Sequence, residues 1–145
     1  MRVFEKQAAP YDLPRAVHFD GEAMRLLQSA GLADAMRPRT HVNPGMLFKD
    51  ASGKVLVDWS RDQSVGPMGW HESYRFHQPD LEDVLRDGMR RYDRVHLHSG
   101  VQVSRLEQTS SEVTLHTSQG VCQARYVVAC DGATSGVRDL SLIHI

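Results

Sequence analysis

The segment from Cys130 to Arg138 holds the residues of this sequence that are best suited to bind a ligand. Asp131 can accept hydrogen bonds from ribose hydroxyls, Gly132 lets a ligand approach the backbone closely, and Arg138 can neutralise a pyrophosphate. A plain tight turn would also use Asp-Gly. Such a turn would not require the apolar run before Asp131, or the serine and arginine after it. The segment therefore favours a nucleotide-binding turn.

Three further polar residues stand where a nucleotide or flavin could bind. Glu5 follows a predicted strand, and an acid there can accept ribose hydroxyls. Arg15 lies in a loop with few acidic neighbours, and its planar guanidinium can reach a phosphate or a flavin edge. Gln78 directly precedes Pro79, which opens a predicted helix, and it can hydrogen-bond a polyol or a flavin ring. Each also has a simpler interpretation, as a surface residue for Glu5 and Arg15 and as a helix cap for Gln78.

Histidine is frequent, with eight residues, but its spacing does not predict a metal site. His96 and His98 share a predicted strand face, and His71 and His77 flank a loop. No third ligand follows at ordered spacing, and the sequence contains no Cys-x-x-Cys. We therefore predict no metal site.

The elements that must position these residues begin with a strand end at residues 2–6 and a proline-containing loop at residues 8–18. Asp20 can cap a helix that Gly31 ends. Residues 46–59 predict a β-hairpin around a turn at 50–53. Pro79 opens the clearest helix, with Asp80 in its first turn. The apolar stripe of that helix comprises Leu81, Val84, Leu85, Met89 and Tyr92.

After this helix the pattern changes to short strands with polar turns. Residues 126–130 differ from them, because they form an unbroken apolar run that is typical of a strand buried on both faces of a parallel sheet. Ligands of such sheets bind beyond the carboxyl ends of the strands, which is where Asp131 stands. The element order predicts an α/β protein with an antiparallel insertion.

The composition excludes several classes of protein. Lys plus Arg is 17 and Asp plus Glu is 18, so the net charge of −1 provides no bulk positive charge for a nucleic-acid binder. No apolar run approaches the roughly 20 residues of a membrane helix. The first residues lack the apolar region of a secretory signal, and two cysteines are too few for a disulfide framework. We predict a cytoplasmic protein that binds neither nucleic acid nor a membrane.

Taken together, these residues resemble the FAD-binding part of the flavin-dependent aromatic hydroxylases, the p-hydroxybenzoate-hydroxylase-like monooxygenases, and above all their 3-(3-hydroxyphenyl)propionate hydroxylase branch. Residues 3–6 resemble the end of the family's second strand with its ribose-binding acid. Residues 14–16 resemble the loop whose arginine lies by the flavin, and Gln78-Pro79 resembles the flavin-contacting glutamine. Residues 127–138 match the family's Asp-Gly motif, which is associated with FAD and NAD(P)H binding. The similarity runs from about Val3 to Leu140.

The resemblance implies an α/β fold, a partial FAD/NAD(P)-binding Rossmann-like domain with an antiparallel β insertion. It implies FAD as cofactor, NAD(P)H as co-substrate, O2 and a small phenolic substrate. In the implied cycle NAD(P)H reduces FAD, O2 is trapped as a flavin C4a-hydroperoxide, and the phenol attacks the distal oxygen. No residue is assigned a catalytic role. The residues assigned to cofactor binding are Glu5, Arg15, Gln78, Asp131, Gly132 and Arg138.

The sequence departs from the family at both ends. No two of its 11 glycines are spaced as Gly-x-Gly, the family's later Gly-Asp motif is absent, and residues 141–145 do not continue the family pattern. We interpret residues 1–145 as an internal fragment of the FAD-binding monooxygenase domain. The fragment alone is expected to bind FAD poorly, without turnover, and to pack loosely. Two alternatives stay open: another FAD monooxygenase (quinone-pathway, epoxidase or antibiotic-modifying), and a non-catalytic binding module or relic of the fold.

Overall fold

The computed structural model of the chain describes residues 1–132 and 134–141. Contacts within the chain divide it into two units. We call Met1–Ala9 together with Arg94–Ile145 the terminal unit, and Pro10–Asp93 the central unit.

In the described residues the strands are, in chain order, β1 (Arg2–Glu5), β2 (His18–Asp20), β3 (Thr40–Val42), β4 (Gly45–Lys49), β5 (Val55–Ser60), β6 (Ser73–Phe76), β7 (His96–Ser99), β8 (Val103–Gln108), β9 (Val113–Thr117) and β10 (Gly120–Ala124). The α-helices there are α1 (Gly21–Ser29), α2 (Ala33–Met36), α3 (Gln78–Met89) and α4 (Gly136–Ser141). A short 3-10 helix, Arg37–Arg39, follows α2.

The central unit combines α1, α2 and α3 with a three-stranded antiparallel sheet in the order β2-β6-β3. Tyr74 on β6 lies opposite Phe19 on β2 and Val42 on β3, so the middle strand carries an aromatic ring into the core. Burial of these apolar side chains stabilises the unit. The buried core cluster consists of Met24, Leu27, Leu32, Ala33, Met36, Tyr74 and Val84.

Both ends of α1 are closed by side chains. The Asp20 carboxylate accepts a hydrogen bond from the Ala23 N–H at 2.9 Å, which confirms the predicted cap. Gly31 follows with a φ of 68°, a conformation that glycine adopts without strain. Arg91 donates to the carbonyl oxygens of Ala30 and Gly31 at 2.8 and 3.1 Å. The carbonyls of the two residues that follow α1 are thereby bonded.

Strands β4 and β5 form an antiparallel hairpin, as predicted, with Met46 opposite Trp59 and Phe48 opposite Val57. Successive residues of a strand point to opposite faces. The hairpin nevertheless exposes apolar side chains on both faces. We call this element the apolar hairpin, and its large exposed side chains are Met46, Leu47, Phe48, Val55, Leu56, Val57 and Trp59.

The terminal unit contains the parallel pairing that the α/β prediction requires. Strands β1 and β7 run parallel, with Phe4 beside His98 and Glu5 beside Ser99. A separate antiparallel sheet follows in the order β10-β9-β8. The α/β fold class and its antiparallel insertion are therefore confirmed. Among the described residues, no helix has the length and apolar character needed to cross a membrane.

The prediction of a buried strand at residues 126–130 is wrong. The structure assigns no strand there, and Tyr126 and Val128 are 84% and 85% exposed. An apolar run indicates a preference for burial, but a strand also needs a neighbour for its backbone hydrogen bonds. In the described part of the chain, parallel pairing joins β1 to β7 and does not extend to this segment.

Candidate functional site

Two of the predicted residues, Arg15 and Gln78, meet in the central unit. Gln78 is the first residue of α3, and its Oε1 accepts hydrogen bonds from the backbone N–H groups of Arg15 at 2.7 Å and Ala16 at 3.0 Å. Its Nε2 donates to Glu82 Oε1, one helical turn later, at 3.3 Å. The simpler interpretation of Gln78 as a helix cap is wrong, because His77 occupies the N-cap position of α3. The amide instead joins α3 to the proline-containing loop.

The Arg15 side chain is exposed and lies against an aromatic ring. Its guanidinium carbon is 4.5 Å from the centre of the Tyr11 ring. This is a cation–π contact, which restrains the guanidinium plane while leaving its N–H donors available to an anion. We did not predict a role for Tyr11, because a spacing of four residues carries no contact information inside a loop.

The segment that leads from Asp131 to the start of α4 at Gly136 lies in the terminal unit, and we call it the Asp131 turn. Its own side chains hold it together. Asp131 Oδ1 accepts a hydrogen bond from the Ser135 hydroxyl at 2.5 Å, and Oδ2 accepts one from the Val137 N–H at 3.0 Å. Ser135 Oγ in turn accepts from the Arg138 N–H at 3.0 Å. Together the two side chains tie the turn to the first N–H groups of α4, a role that the sequence pattern did not reveal for Ser135.

These contacts determine the charge of Asp131. Hydrogen bonds from the Ser135 hydroxyl, and next from the Val137 N–H, lower the pKa of the Asp131 carboxyl below its ordinary value. The carboxylate is also exposed. An ionised, exposed carboxylate retains lone pairs that can accept hydrogen bonds from hydroxyl groups of a ligand.

Gly132 presents bare backbone beside this carboxylate. Its φ is 84°, in the region that favours glycine, and, its chain neighbours apart, no atom of the described residues lies within 4 Å of the position that a Cβ would occupy. The conformation, rather than crowding, therefore requires glycine here. A ligand can approach the main chain closely at this point.

Glu5 and Arg138 also belong to the terminal unit. Glu5 ends β1, where its carboxylate accepts from the Gln7 N–H at 2.7 Å and its carbonyl oxygen from the Val101 N–H at 2.9 Å. It thus lies at the carboxyl end of the parallel pair, where α/β sheets bind ligands. Arg138 lies on α4 with an exposed side chain. The structure therefore joins Arg15 to Gln78, links Asp131 to α4, and places Glu5 at a strand end.

A shallow cleft of about 240 Å³ lies in the central unit beside Arg75 and Phe76. Arg75 donates to the side-chain oxygen of Asn43 at 3.0 Å and to the Gly45 carbonyl at 2.9 Å. The volume lies below the range of roughly 300–1,000 Å³ that is usual for small-molecule pockets. We assign no ligand to it. The described residues include no group of three or more His, Cys, Asp or Glu side chains placed to hold a metal ion.

The sequence of this chain also matches a known protein family. The family described as "FAD binding domain" matches residues 1–143, nearly the whole sequence. The chain belongs to the FAD-binding-domain family. The Asp131 turn and the pair of Arg15 and Gln78 are thus features of an FAD-binding-domain chain, although the cofactor contact of each residue stays a prediction.

Two curated relatives of this FAD-binding-domain chain are hydroxylases. It is 34% identical over 145 residues to a probable NADH-specific resorcinol 4-hydroxylase of Rhodococcus jostii (strain RHA1), covering 96% of this chain and 27% of the relative. It is also 34% identical to a 3-(3-hydroxy-phenyl)propionate/3-hydroxycinnamic acid hydroxylase of Escherichia coli (strain K12 / DH10B), covering 94% and 25%. The chain therefore spans about a quarter of the length of these relatives.

The fold is also shared with solved structures. The crystal structure of the p-nitrophenol 4-monooxygenase PnpA from Pseudomonas putida DLL-E4 matches with a TM-score of 0.84 and 24% identity. The match covers 97% of this chain and 36% of that protein. This likeness confirms the fold of the FAD-binding-domain chain.

Proposed function

We propose that this chain is part of an FAD-dependent monooxygenase that hydroxylates a phenolic ring with NAD(P)H and O2. The observation that carries the proposal is the 34% identity, over 94–96% of the chain, to two relatives whose names are those of hydroxylases of phenolic compounds. The relatives are much longer, so the proposal concerns the whole protein to which residues 1–145 contribute.

The residues of the Asp131 turn fit FAD. An ionised, exposed carboxylate suits the hydroxyl groups of a ribose or ribityl chain, and the bare backbone at Gly132 allows a bulky ligand to approach. Glu5, at the end of a parallel strand, offers a second carboxylate for ribose hydroxyls. Arg138 supplies a cation for the pyrophosphate.

In the central unit, Arg15 is proposed to meet the flavin side of the cofactor, with Gln78 bonded to its backbone. The Arg15 guanidinium offers planar N–H donors, and α3 presents the positive end of its dipole beside Gln78. The chemistry that bound FAD would supply is the transfer of electrons from NAD(P)H to O2 and of one oxygen atom to the ring. The residues of this chain bind and orient the cofactor, and none is proposed as an acid or base.

We further propose that residues 1–145 are an internal part of the FAD-binding monooxygenase domain. The family match to residues 1–143 and the longer relatives support this. Sequencing the source DNA through both ends of the reading frame tests it. A Gly-x-Gly-x-x-Gly loop upstream and a Gly-Asp motif downstream are the expected findings. A start before Arg2 and a stop after Ile145 would instead favour a non-catalytic relic. The cytoplasmic location stays a prediction from composition.

The activity is tested with the protein produced from its gene, including any flanking sequence that the gene encodes. We expect NADH or NADPH oxidation to accelerate when resorcinol or 3-(3-hydroxyphenyl)propionate is added. We also expect a product that has gained one oxygen atom, detected by mass spectrometry. NADH oxidation that yields only hydrogen peroxide with every phenol would contradict the hydroxylase proposal, and absence of flavin uptake would favour a non-catalytic module.

A further inference from the structure

The amide of Gln78 has one orientation that satisfies its neighbours. The two groups that face it from the loop, the Arg15 and Ala16 N–H groups, are both donors, so the amide oxygen must point toward them. The amide nitrogen then points toward the Glu82 carboxylate, which can only accept. Glu82 is itself held by Arg86, whose Nη2 lies 3.9 Å from its second oxygen. The side chain is therefore fixed from both sides.

The oxygen of Gln78 thus restrains the backbone on both sides of the Arg15 α-carbon. The loop before β2 contains no regular secondary structure, so its backbone has no hydrogen bonds to a neighbouring strand at this point. The two bonds to Gln78 restrain it instead. The adjoining backbone is held by the bond from the Phe76 N–H to the Val17 carbonyl oxygen, at 3.0 Å. At the other end, Tyr11 holds the guanidinium plane. Both the main chain and the tip of Arg15 are therefore pre-organised.

We propose that Gln78 is a positioning residue, which holds the loop so that Arg15 presents its guanidinium to the cofactor. We call the pair of bonds from the Arg15 and Ala16 N–H groups to Gln78 Oε1 the Gln78 latch. The proposal rests on the proposed function, in which Arg15 contacts FAD. It assigns the influence of Gln78 on FAD binding to its oxygen and to Arg15, and not to a contact of its amide with the flavin.

Two variants distinguish the Gln78 latch from a direct contact of the Gln78 amide with the flavin. Gln78→Met has a side chain of similar length and removes the amide oxygen. The double variant Gln78→Glu/Glu82→Gln keeps acceptor oxygens at position 78 and moves the amide to position 82, so donor and acceptor exchange places at constant net charge. The single variant Glu82→Gln is its matched control, because it leaves the Gln78 oxygen in place.

The latch itself is read without flavin, from hydrogen exchange of the Arg15 and Ala16 amides. In Gln78→Met we expect both amides to exchange about tenfold faster, since each loses its acceptor. In Gln78→Glu/Glu82→Gln and in Glu82→Gln we expect exchange close to that of the native protein. Unchanged exchange in Gln78→Met would overturn the proposal. So would exchange in the double variant that is as fast as in Gln78→Met.

The Kd for FAD then tests whether Gln78 affects cofactor binding through Arg15. It is measured with the protein produced from its complete gene. We expect Gln78→Met and Arg15→Met each to raise the Kd for FAD, and their combination to bind no more weakly than Arg15→Met alone. Additive losses would overturn the positioning role and show a separate contact of Gln78. An unchanged Kd in Arg15→Met would overturn the role of Arg15 in the proposed function, a failure that the exchange data distinguish from failure of the latch.

Discussion

At the scale of single residues, Asp131 combines two tasks that are usually separate. Its two oxygens hold the Ser135 hydroxyl and the Val137 N–H, and thereby organise the turn before α4. The same carboxylate is exposed, and its lowered pKa keeps it ionised. A ligand that binds here meets an acceptor whose position is already fixed, which reduces the entropy lost on binding.

The order of this turn depends on pH in a defined direction. Hydrogen bonds lower the pKa of Asp131 in the folded state below its ordinary value of 3.8, which applies to the unfolded chain. Its stabilising contribution is therefore complete above that pH, and it is lost as the pH falls through the lowered pKa. We expect the chemical shift of the Val137 amide proton to titrate with a midpoint below this ordinary value of 3.8. The variant Asp131→Asn keeps an acceptor oxygen and should show no such titration, and a midpoint at or above the ordinary value would contradict the assignment.

The sequence identified the chemistry of several residues but not their contacts. Asp131 and Gly132 could be singled out because they are consecutive residues, but the bond of Ser135 to Asp131 was not predicted. The contact of Gln78 with Arg15 could not, because the two are 63 positions apart and only the tertiary fold joins them. For the same reason nothing in the local pattern indicated that Arg91 bonds the carbonyls of the two residues that follow α1.

At the scale of elements, α3 approaches the chain before α2 more closely than a side chain would allow. A Cβ added at Gly88 would lie 2.6 Å from Cδ2 of Leu32, a buried residue of the core cluster. Real Cβ atoms essentially never come so close to another heavy atom. Gly88 is therefore the residue at which α3 packs against Leu32.

The substitution Gly88→Ala sets two effects against each other. Alanine gains about 1 kcal/mol of helix propensity over glycine. Forcing a packed side chain to move costs about 1–3 kcal/mol. Because Leu32 is buried, we expect the second effect to prevail and urea unfolding to show a net loss of about 1 kcal/mol.

Leu32→Ala provides the control background. There the methyl groups that obstruct a new Cβ are gone, so Gly88→Ala should stabilise the protein relative to Leu32→Ala alone. A stabilising effect of Gly88→Ala in the native background would show that the close approach carries no cost.

Elements also show where sequence patterns predict well and where they do not. The helices at Asp20 and Pro79 and the hairpin at 46–59 carry their capping, spacing and turn signals locally, and all three formed. The predicted stripe of the second helix is wrong at two positions, because α3 ends at Met89, before Tyr92, and because Leu85 is exposed. Residues 126–130 carry an equally clear apolar signal, but a strand requires a partner elsewhere in the chain. The five residues themselves do not show whether such a partner strand is present.

At the scale of the whole molecule, the proposed cofactor requires more than these residues. The turn at Asp131 and the Arg15 loop provide acceptors and cations, whereas the pyrophosphate of a dinucleotide is usually bound by N–H groups at the start of a glycine-rich helix. The sequence has no glycines spaced as Gly-x-Gly. We therefore expect residues 1–145 alone to retain little FAD, and the product of the complete gene to retain it stoichiometrically.

The ratio of absorbance at the flavin and protein bands of each purified sample measures this retention. Flavin released by denaturation into the supernatant is the control for covalent or trapped cofactor. Stoichiometric flavin in the 145-residue chain would contradict the prediction, and would show that the residues described here suffice to bind it.

The apolar hairpin has a practical consequence for anyone who studies folding of this chain. The dye ANS becomes fluorescent on exposed apolar surface and is commonly used to detect loosely packed states. Trp59 and Leu56 are 54% and 61% exposed in the folded chain. We expect ANS to fluoresce with the folded 145-residue chain, and Leu56→Ser/Trp59→Ser to reduce that signal while far-ultraviolet circular dichroism stays unchanged. A bright dye will thus report the surface of the 145-residue chain itself, and loss of packing in this chain will have to be followed by near-ultraviolet circular dichroism instead.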